Sequence, residues 1–331
     1  MSFPDPTSAR RTLSPFRALQ AVAAVTARES LRQPITLLLV YAFTGAILLL
    51  PLLLNYTLGD GARIVRDSAC SLVFLGSLLL AIALATDAVA RDFRRGTASV
   101  VLAKSVPRWA YLLGKAAGVA LPVLTYALIA AAATLLAIRI AGDGLRADWA
   151  TAAVALPSVP LALLMAALWN YLTRRPLAAV AIGLLLALLL LALLAAALRP
   201  DLDGLVFPHN LNLPALPAVL LLALPALMAV ALATGLAALL RPAVGFVLTL
   251  LPFLLGMVSD PLLAARPGLL PRCLYAVLPN IQAFWLLDAT GLLDGTGLPF
   301  PYLLLSLLYA LAWSLTALLL ASLLFQHREI Q

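Results

Sequence analysis

Apolar residues run along this chain in long blocks, with the polar residues confined to short stretches between them. A bilayer hydrocarbon core about 30 Å thick needs about 20 apolar residues per helix. On that ruler the blocks are 35–56, 68–89, 110–139, 150–172, 177–198, 213–240, 242–259 and 301–325. Pro214, Pro217, Pro225, Pro242 and Pro252 crowd the sixth and seventh blocks, which allows re-entrant or broken helices there. The pattern predicts an all-α fold: a polytopic integral membrane bundle of six to eight transmembrane helices, occupying 34–325.

The flanks differ from the blocks. Residues 1–15 are rich in Pro, Ser and Arg and are expected to be a disordered lead. Over 16–33 a helical wheel sets Phe16, Leu19, Val22, Ala23, Ala27 and Leu31 against Arg17, Arg28 and Arg32, predicting an N-terminal interfacial amphipathic helix. Pro34 then turns the chain into the bilayer. Over 260–300, Leu274, Val277, Leu278, Ile281, Phe284 and Trp285 recur at helical spacings around Pro279-Asn280. That stretch is too short and too interrupted to span, and reads as amphipathic helix lying against or dipping into the outer leaflet. Residues 326–331 form a polar tail.

Composition agrees: 64% of the 331 residues are hydrophobic and 11% charged, far from the quarter usual in soluble domains. The net charge of +8 raises the question of nucleic acid, but the basic residues sit at block ends and form no patch interleaved with aromatics. No nucleic-acid partner is expected. Instead the cations set the orientation, because cytoplasmic loops carry the excess of Lys and Arg. With the amino terminus inside, 15 of the 22 Lys and Arg fall on the cytoplasmic side and both termini are cytoplasmic. The densest group is Arg91, Arg94, Arg95, Lys104, Arg108 and Lys115, charges expected to stay in water. No apolar core followed by a cleavage site precedes Pro34, so no cleavable signal peptide is expected.

Candidate chemistry is sparse. Cys70 and Cys273 stand far apart and form no metal or redox motif. The histidines, His209 and His327, have no paired metal spacing. Gly114-Lys115 lacks the earlier glycine of a phosphate loop and has Ala116 in place of the magnesium-binding hydroxyl, so the chain is not expected to bind ATP. Gly59-Asp60-Gly61 and Gly295-Thr296-Gly297 read as turns. The blocks are nearly free of ionisable residues, Asp87 and Arg139 lying at their ends, which argues against an ion-coupled carrier.

The stretch from Asp87 to Lys115 resembles type-2 ABC transporter permeases, the exporter-class membrane subunits related to those of multicopper-enzyme maturation and gliding systems. The resemblance is carried by Asp87, Arg91-Asp92, Gly96-Thr97, the apolar run 99–103, Lys104-Ser105-Val106-Pro107, Arg108 and Leu113-Gly114-Lys115. It extends to the first helix, to Leu278-Pro279-Asn280 with Phe284, and to Phe325 with Arg328-Glu329. Gly96 suits a helix end, Thr97 a cap for a short helix 98–104, and Pro107 the first turn of the next span. The resemblance implies that loop 90–109 is a coupling element set in a cleft of a cytosolic ATPase. Its residues would be Asp87, Arg91, Asp92, Arg94, Arg95, Gly96, Thr97, Lys104, Pro107, Arg108, Gly114 and Lys115.

The same resemblance implies a permease subunit of an ATP-driven exporter, multi-pass in a bacterial-type cytoplasmic membrane. A second permease chain and separate ATPase subunits would complete it, with ATP and magnesium bound by the ATPase and no cofactor in this chain. Many family members have six spans, fewer than the blocks counted here. Apolar spans with few charges lean towards a lipid-like, amphiphilic or peptide cargo. The alternatives are a polytopic enzyme using residues such as Asn170, His209 or Asp260, and a stand-alone carrier.

Overall fold

The computed structural model describes residues 14–53, 60–97, 106–142, 146–260, 263, 268–286 and 298–326. The expected helix 98–104 with Lys104, and most of the lead and tail, lie outside the described residues. The helices are α1 (Pro15–Leu31), α2 (Pro34–Leu53), α3 (Gly61–Arg94), α4 (Arg108–Ala141) and α5 (Trp149–Thr173). They continue as α6 (Leu177–Ala197), α7 (Ala215–Leu239), α8 (Pro242–Met257), α9 (Leu269–Val277) and α10 (Phe300–Gln326). The described residues contain no strand. In lipid each span must satisfy its own backbone hydrogen bonds, and the Leu- and Ala-rich blocks do so as helices.

Seven of these helices, α2 to α7 and α10, are long and apolar enough to cross a membrane, so the chain is a multi-pass membrane protein. The seventh block, 242–259, falls short of a span, which leaves seven, within the six to eight expected. The helix it forms, α8, has 16 residues and a length of about 24 Å, less than the hydrocarbon thickness. The sixth block folds as α7 but breaks at Leu222, because Pro225 has no N–H to offer the Leu221 carbonyl. The blocks 68–89 and 110–139 were read too short. The helices α3 and α4 each have 34 residues, about 51 Å, and continue through their charged flanks beyond the hydrocarbon.

The most buried spans, α3 and α4, pack side by side at the centre. Against them lie α7 and α2, with α5 and α6 paired outside α4 and α10 held against α7. Connections alternate ends, so the α3–α4, α5–α6 and α7–α8 links and the close of α10 share one end of the bundle. We call this the charged end.

Close approach at small residues sets these contacts. A Cβ at Gly235 of α7 would lie 2.5 Å from that of Ala321 on α10. The most extensive interhelical contact is between α1 and α4. It forms where Gly114 and Gly118, one turn apart, admit Val22, Ala23 and Thr26 of α1. The packed side of α1 shares Val22, Ala23 and Ala27 with the predicted apolar stripe and departs from it at Phe16. Ala18, Thr26, Ala27 and Ser30 are buried, while Phe16 is exposed. The small residues of α1 let the backbones approach, whereas a phenylalanine would hold them apart.

A Cβ at Gly118 would stand 2.6 Å from that of Thr26 and 2.7 Å from the Ala23 carbonyl oxygen. Gly118→Val should therefore lift α1 from α4. The expected result is faster tryptic cleavage at Arg28 in the detergent-purified protein, with the remaining helices still folded; an unchanged cleavage rate would contradict the packing.

Candidate functional site

At the charged end the last turns of α3 meet the first turns of α4 and the end of α10. Asp87 collects two cations from its own helix. Arg91 Nε lies 3.1 Å from Asp87 Oδ2, and Arg94 donates to Asp87 Oδ1 at 3.2 Å. The spacings of four and seven residues put all three on one helix face. Asp92, on the α4 side, pairs with Lys115 at 2.7 Å and accepts a 2.9 Å hydrogen bond from the Tyr111 hydroxyl on the same oxygen.

Lys115 is only 4% exposed. Its ammonium lies 3.4 Å from the Ala88 carbonyl and 5.9 Å from the centre of the Tyr111 ring. The expectation that the cations of this stretch stay in water is corrected here. Lys115 is buried and Arg91 mostly so, because two nearby carboxylates, Asp92 and Asp87, compensate their charge. By contrast Arg94, Arg95, Gly96 and Thr97 are exposed.

The connection leaves α3 by a defined turn. Gly96 has φ +68°, a left-handed conformation that glycine adopts without strain, and its N–H donates to the Phe93 carbonyl at 3.2 Å. The Thr97 hydroxyl donates back to the Asp92 carbonyl at 3.3 Å, so its side chain holds the end of α3. Pro107 is extended (φ −65°, ψ 141°) and precedes α4 directly, its carbonyl taking up the Tyr111 N–H.

Arg108 ties the far side of this connection to α10. It donates to the Phe325 carbonyl, and its guanidinium stands 5.3 Å from the centre of the Phe325 ring. The same ring meets Phe93 edge-on at 6.1 Å. Phe325 is fully buried, in a cluster with Val89, Tyr111, Leu112, Ala238 and Ala321 from α3, α4, α7 and α10. Of the residues expected in the coupling element, Asp87, Arg91, Asp92 and Lys115 are brought together, and Gly114 packs against α1. Phe325 stands out in the sequence only through the resemblance, and Tyr111 and Phe93 carry no local signal, because their roles depend on contacts across four helices.

A second charged centre lies at the opposite end. Arg139, 6% exposed, donates to Asp148 at 3.2 Å and to the Thr151 hydroxyl at 3.1 Å. It also donates to the carbonyls of Ala196, Asn210, Arg199 and Pro200 at 2.6 to 3.3 Å. Asn210 adds amide hydrogen bonds to Ala196, Ala197 and Arg199. Together they satisfy carbonyls at the C-terminal end of α6, which helix geometry leaves without partners. Asp148 caps α5 by accepting from the N–H groups of Ala150 and Thr151. Burial alone would raise its carboxyl, but hydrogen bonds from Thr151 and Arg139 outweigh that and hold it below the ordinary carboxylate range. The Asp-x-x-Thr cap signature at 148–151 was the available sequence signal for this centre.

At this same end the segment after α8 dips into the bundle. Ile281 and Phe284 are buried, Trp285 meets Phe74 of α3 edge-on at 6.0 Å, and the Trp313 indole donates to the Val277 carbonyl at 3.4 Å. The Tyr309 hydroxyl accepts from the Asn280 N–H at 3.0 Å, and that of Tyr302 donates to the Ala283 carbonyl at 2.5 Å. The segment thus enters the bundle. Beside it lies an open pocket of about 550 Å³ lined by Met257, Asp260, Asn280, Ile281, Gln282, Ala283 and Trp285. Asn170 and His209, candidates for an enzymatic reading, lie at opposite ends of the bundle, beside Arg175 and in the α6–α7 connection. Among the described residues no group of three or more His, Cys, Asp or Glu is placed to hold a metal ion.

No family model matches the chain, and no curated protein or solved structure matches it.

Lys115→Met should lower stability by about 3–5 kcal/mol by stranding Asp92, and Asp92→Leu in the same chain should restore part of that loss. Thermal unfolding in detergent measures both; equal or additive losses would place the pair outside the core of the fold. Because the Asp148 carboxyl is held low, its stabilising share is present above the ordinary carboxylate pKa of about 3.9 and fades only as pH falls through its lower folded value. The contribution of Asp148, taken as the difference in unfolding midpoint from Asp148→Asn, should therefore be constant from pH 7 to 5.

Proposed function

We propose that this chain is the membrane permease subunit of an ATP-driven ABC transporter of the exporter type, with the α3–α4 connection as the element that receives force from a cytosolic ATPase. The observation that carries the reading is the construction of that connection. Its exposed residues, Arg94, Arg95, Gly96 and Thr97, sit directly on a braced base in which Asp92 with Lys115 and Tyr111 fixes α3 to α4 and Arg108 fixes α4 to α10, while Asp87 holds Arg91 and Arg94 within α3. A push on the exposed turn is therefore delivered to three spans at once. The ordered resemblance from Asp87 to Lys115 supports an ATPase as the pusher, one that binds ATP and magnesium in its own subunit.

Two permease chains with two ATPase subunits form the working unit, and both termini face the cytoplasm on the side of the ATPase. ATP binding closes the ATPase pair, the connection between α3 and α4 shifts, and the bundle changes the face to which its pathway opens. The membrane is the bacterial cytoplasmic membrane. A catalytic reading is less well supported, since Asn170 and His209 are separated by the length of a span.

Capture of the tagged chain from its native membrane should bring down a P-loop ATPase in about equal amount. Proline cannot take the φ of +68° at position 96 and removes the Gly96 N–H, so Gly96→Pro should abolish that capture, as should Arg94→Glu with Arg95→Glu. Both variants should still elute as folded protein in detergent. Undiminished capture in both would overturn the docking assignment.

A further inference from the structure

The pocket beside Asp260 differs in charge from the rest of the chain. The protein carries a net charge of +8, yet among the described residues no cation pairs with this carboxylate. Its Oδ1 accepts a 2.8 Å hydrogen bond from the Tyr275 hydroxyl, and that hydrogen bond raises the phenol pKa of Tyr275. The Oδ2 has no described partner. Gln282 spends its amide on the Met257 carbonyl at 2.9 Å, which leaves its own carbonyl oxygen as a second acceptor. Asn280 donates one amide N–H to Tyr275 at 3.1 Å and accepts from Ala283 at 3.2 Å. The remaining walls are the Trp285 ring, Ile281, Ala283 and the Met257 thioether.

Two helical rulers give the depth of this pocket. From the charged end, α8 rises about 24 Å before it stops three residues short of Asp260. Tyr309, whose hydroxyl holds the Asn280 N–H, lies 17 residues before the end of α10, again about 25 Å from the charged end. The helix α10 continues for about 14 Å beyond that level to Phe300. The carboxylate, half-buried, therefore lies towards the far edge of a 30 Å hydrocarbon layer. An ionisable group there, with no described cation beside it, marks a candidate site.

We propose that this pocket binds the organic cation of an amphiphile: an ammonium-type head against Asp260, Gln282 and Trp285, with an apolar body along Met257 and Ile281. Acceptors without a described partner, one carboxylate and an aromatic face select a weakly hydrated cation over an anion or a neutral hydrocarbon. The identification of that amphiphile as cargo rests on the transport reading; the binding itself does not.

The test is equilibrium binding of radiolabelled tetraphenylphosphonium to the purified full chain in dodecyl maltoside, with protein-free micelles as background. Saturable binding at one site per chain is expected. Asp260→Asn should weaken it about tenfold and Trp285→Leu about threefold, while Asp260→Glu keeps most of it. Radiolabelled tetraphenylborate, with the same shape and opposite charge, assayed separately should show no saturable binding. Absence of saturable phosphonium binding, indifference to Asp260→Asn, or equal saturable binding of tetraphenylborate would each overturn the site. If Asp260→Asn does not fold, the comparison of the two ions on the unsubstituted chain decides alone. Native mass spectrometry with phosphatidylcholine against phosphatidylglycerol then identifies the source of the cation. Retention of the choline lipid that depends on Asp260 assigns a lipid headgroup, and its absence beside intact phosphonium binding assigns a soluble amphiphile. Cation binding without any captured ATPase would leave this site standing and bring down the transport reading.

Discussion

A buried cation in a membrane helix must bring its counter-charge with it, and α4 carries one near each end. Lys115 and Arg139 are 24 residues apart, about 36 Å along the helix, slightly more than the hydrocarbon thickness. Neither is left to solvent. Lys115 takes Asp92 of α3, and Arg139 takes Asp148 together with the open carbonyls of α6 and the connection behind it. Breaking a buried pair by removing one partner typically costs about 3–5 kcal/mol, several times the worth of a surface pair. These two residues therefore fix the register of α4 against α3 at one end and against α5 and α6 at the other. Between them the helix is free to present Ala and Gly, and it is those small residues that let α1 and α3 approach.

The long apolar blocks were legible in the sequence because a span must be apolar over its whole length, and almost any shift of its ends leaves that pattern intact. What was not legible follows from the same cause. Block length alone reads Pro242 to Ser259 as a span, since hydropathy does not tell a helix that crosses from one that stops at a packed turn, where Gly256 closes against the Pro279 carbonyl. Charge was misread at Lys115 for a related reason. A lysine two turns beyond a loop looks solvated until its partner on another helix, Asp92, is known. Of the candidate site, Gly96, Pro107 and the cations of α3 were visible as local signals. Tyr111, Phe93 and the Phe325 carbonyl were not, because their roles arise only when α3, α4 and α10 come together.

The two ends of the bundle are built to opposite specifications. At the far end Arg139 and Asn210 donate to a ring of carbonyls from the end of α6 and the connection after it, and the result is closed and nearly inaccessible. At the charged end the buried pair lies under a turn whose outer residues are exposed, with Gly96 in a conformation that lets the chain leave α3 sharply. An anchored end and an accessible end on α4, with α3 held beside it, have the form of a lever: under the transport reading, displacement applied to the turn would be transmitted along both helices, because Asp92 and Lys115 keep them from sliding past each other.

The lever has a third arm. Arg108 reaches across to the last residues of α10, while the opposite half of α10 holds the inserted segment through Tyr309 and Trp313. The same helix therefore touches the exposed turn at one end and the wall of the Asp260 pocket towards the other. Motion of α10 relative to α8 would alter the pocket directly, since Met257 and Asp260 follow one helix and Asn280 is held by the other. A rigid helix spanning both sites is a contiguous physical route of the kind that coupling requires.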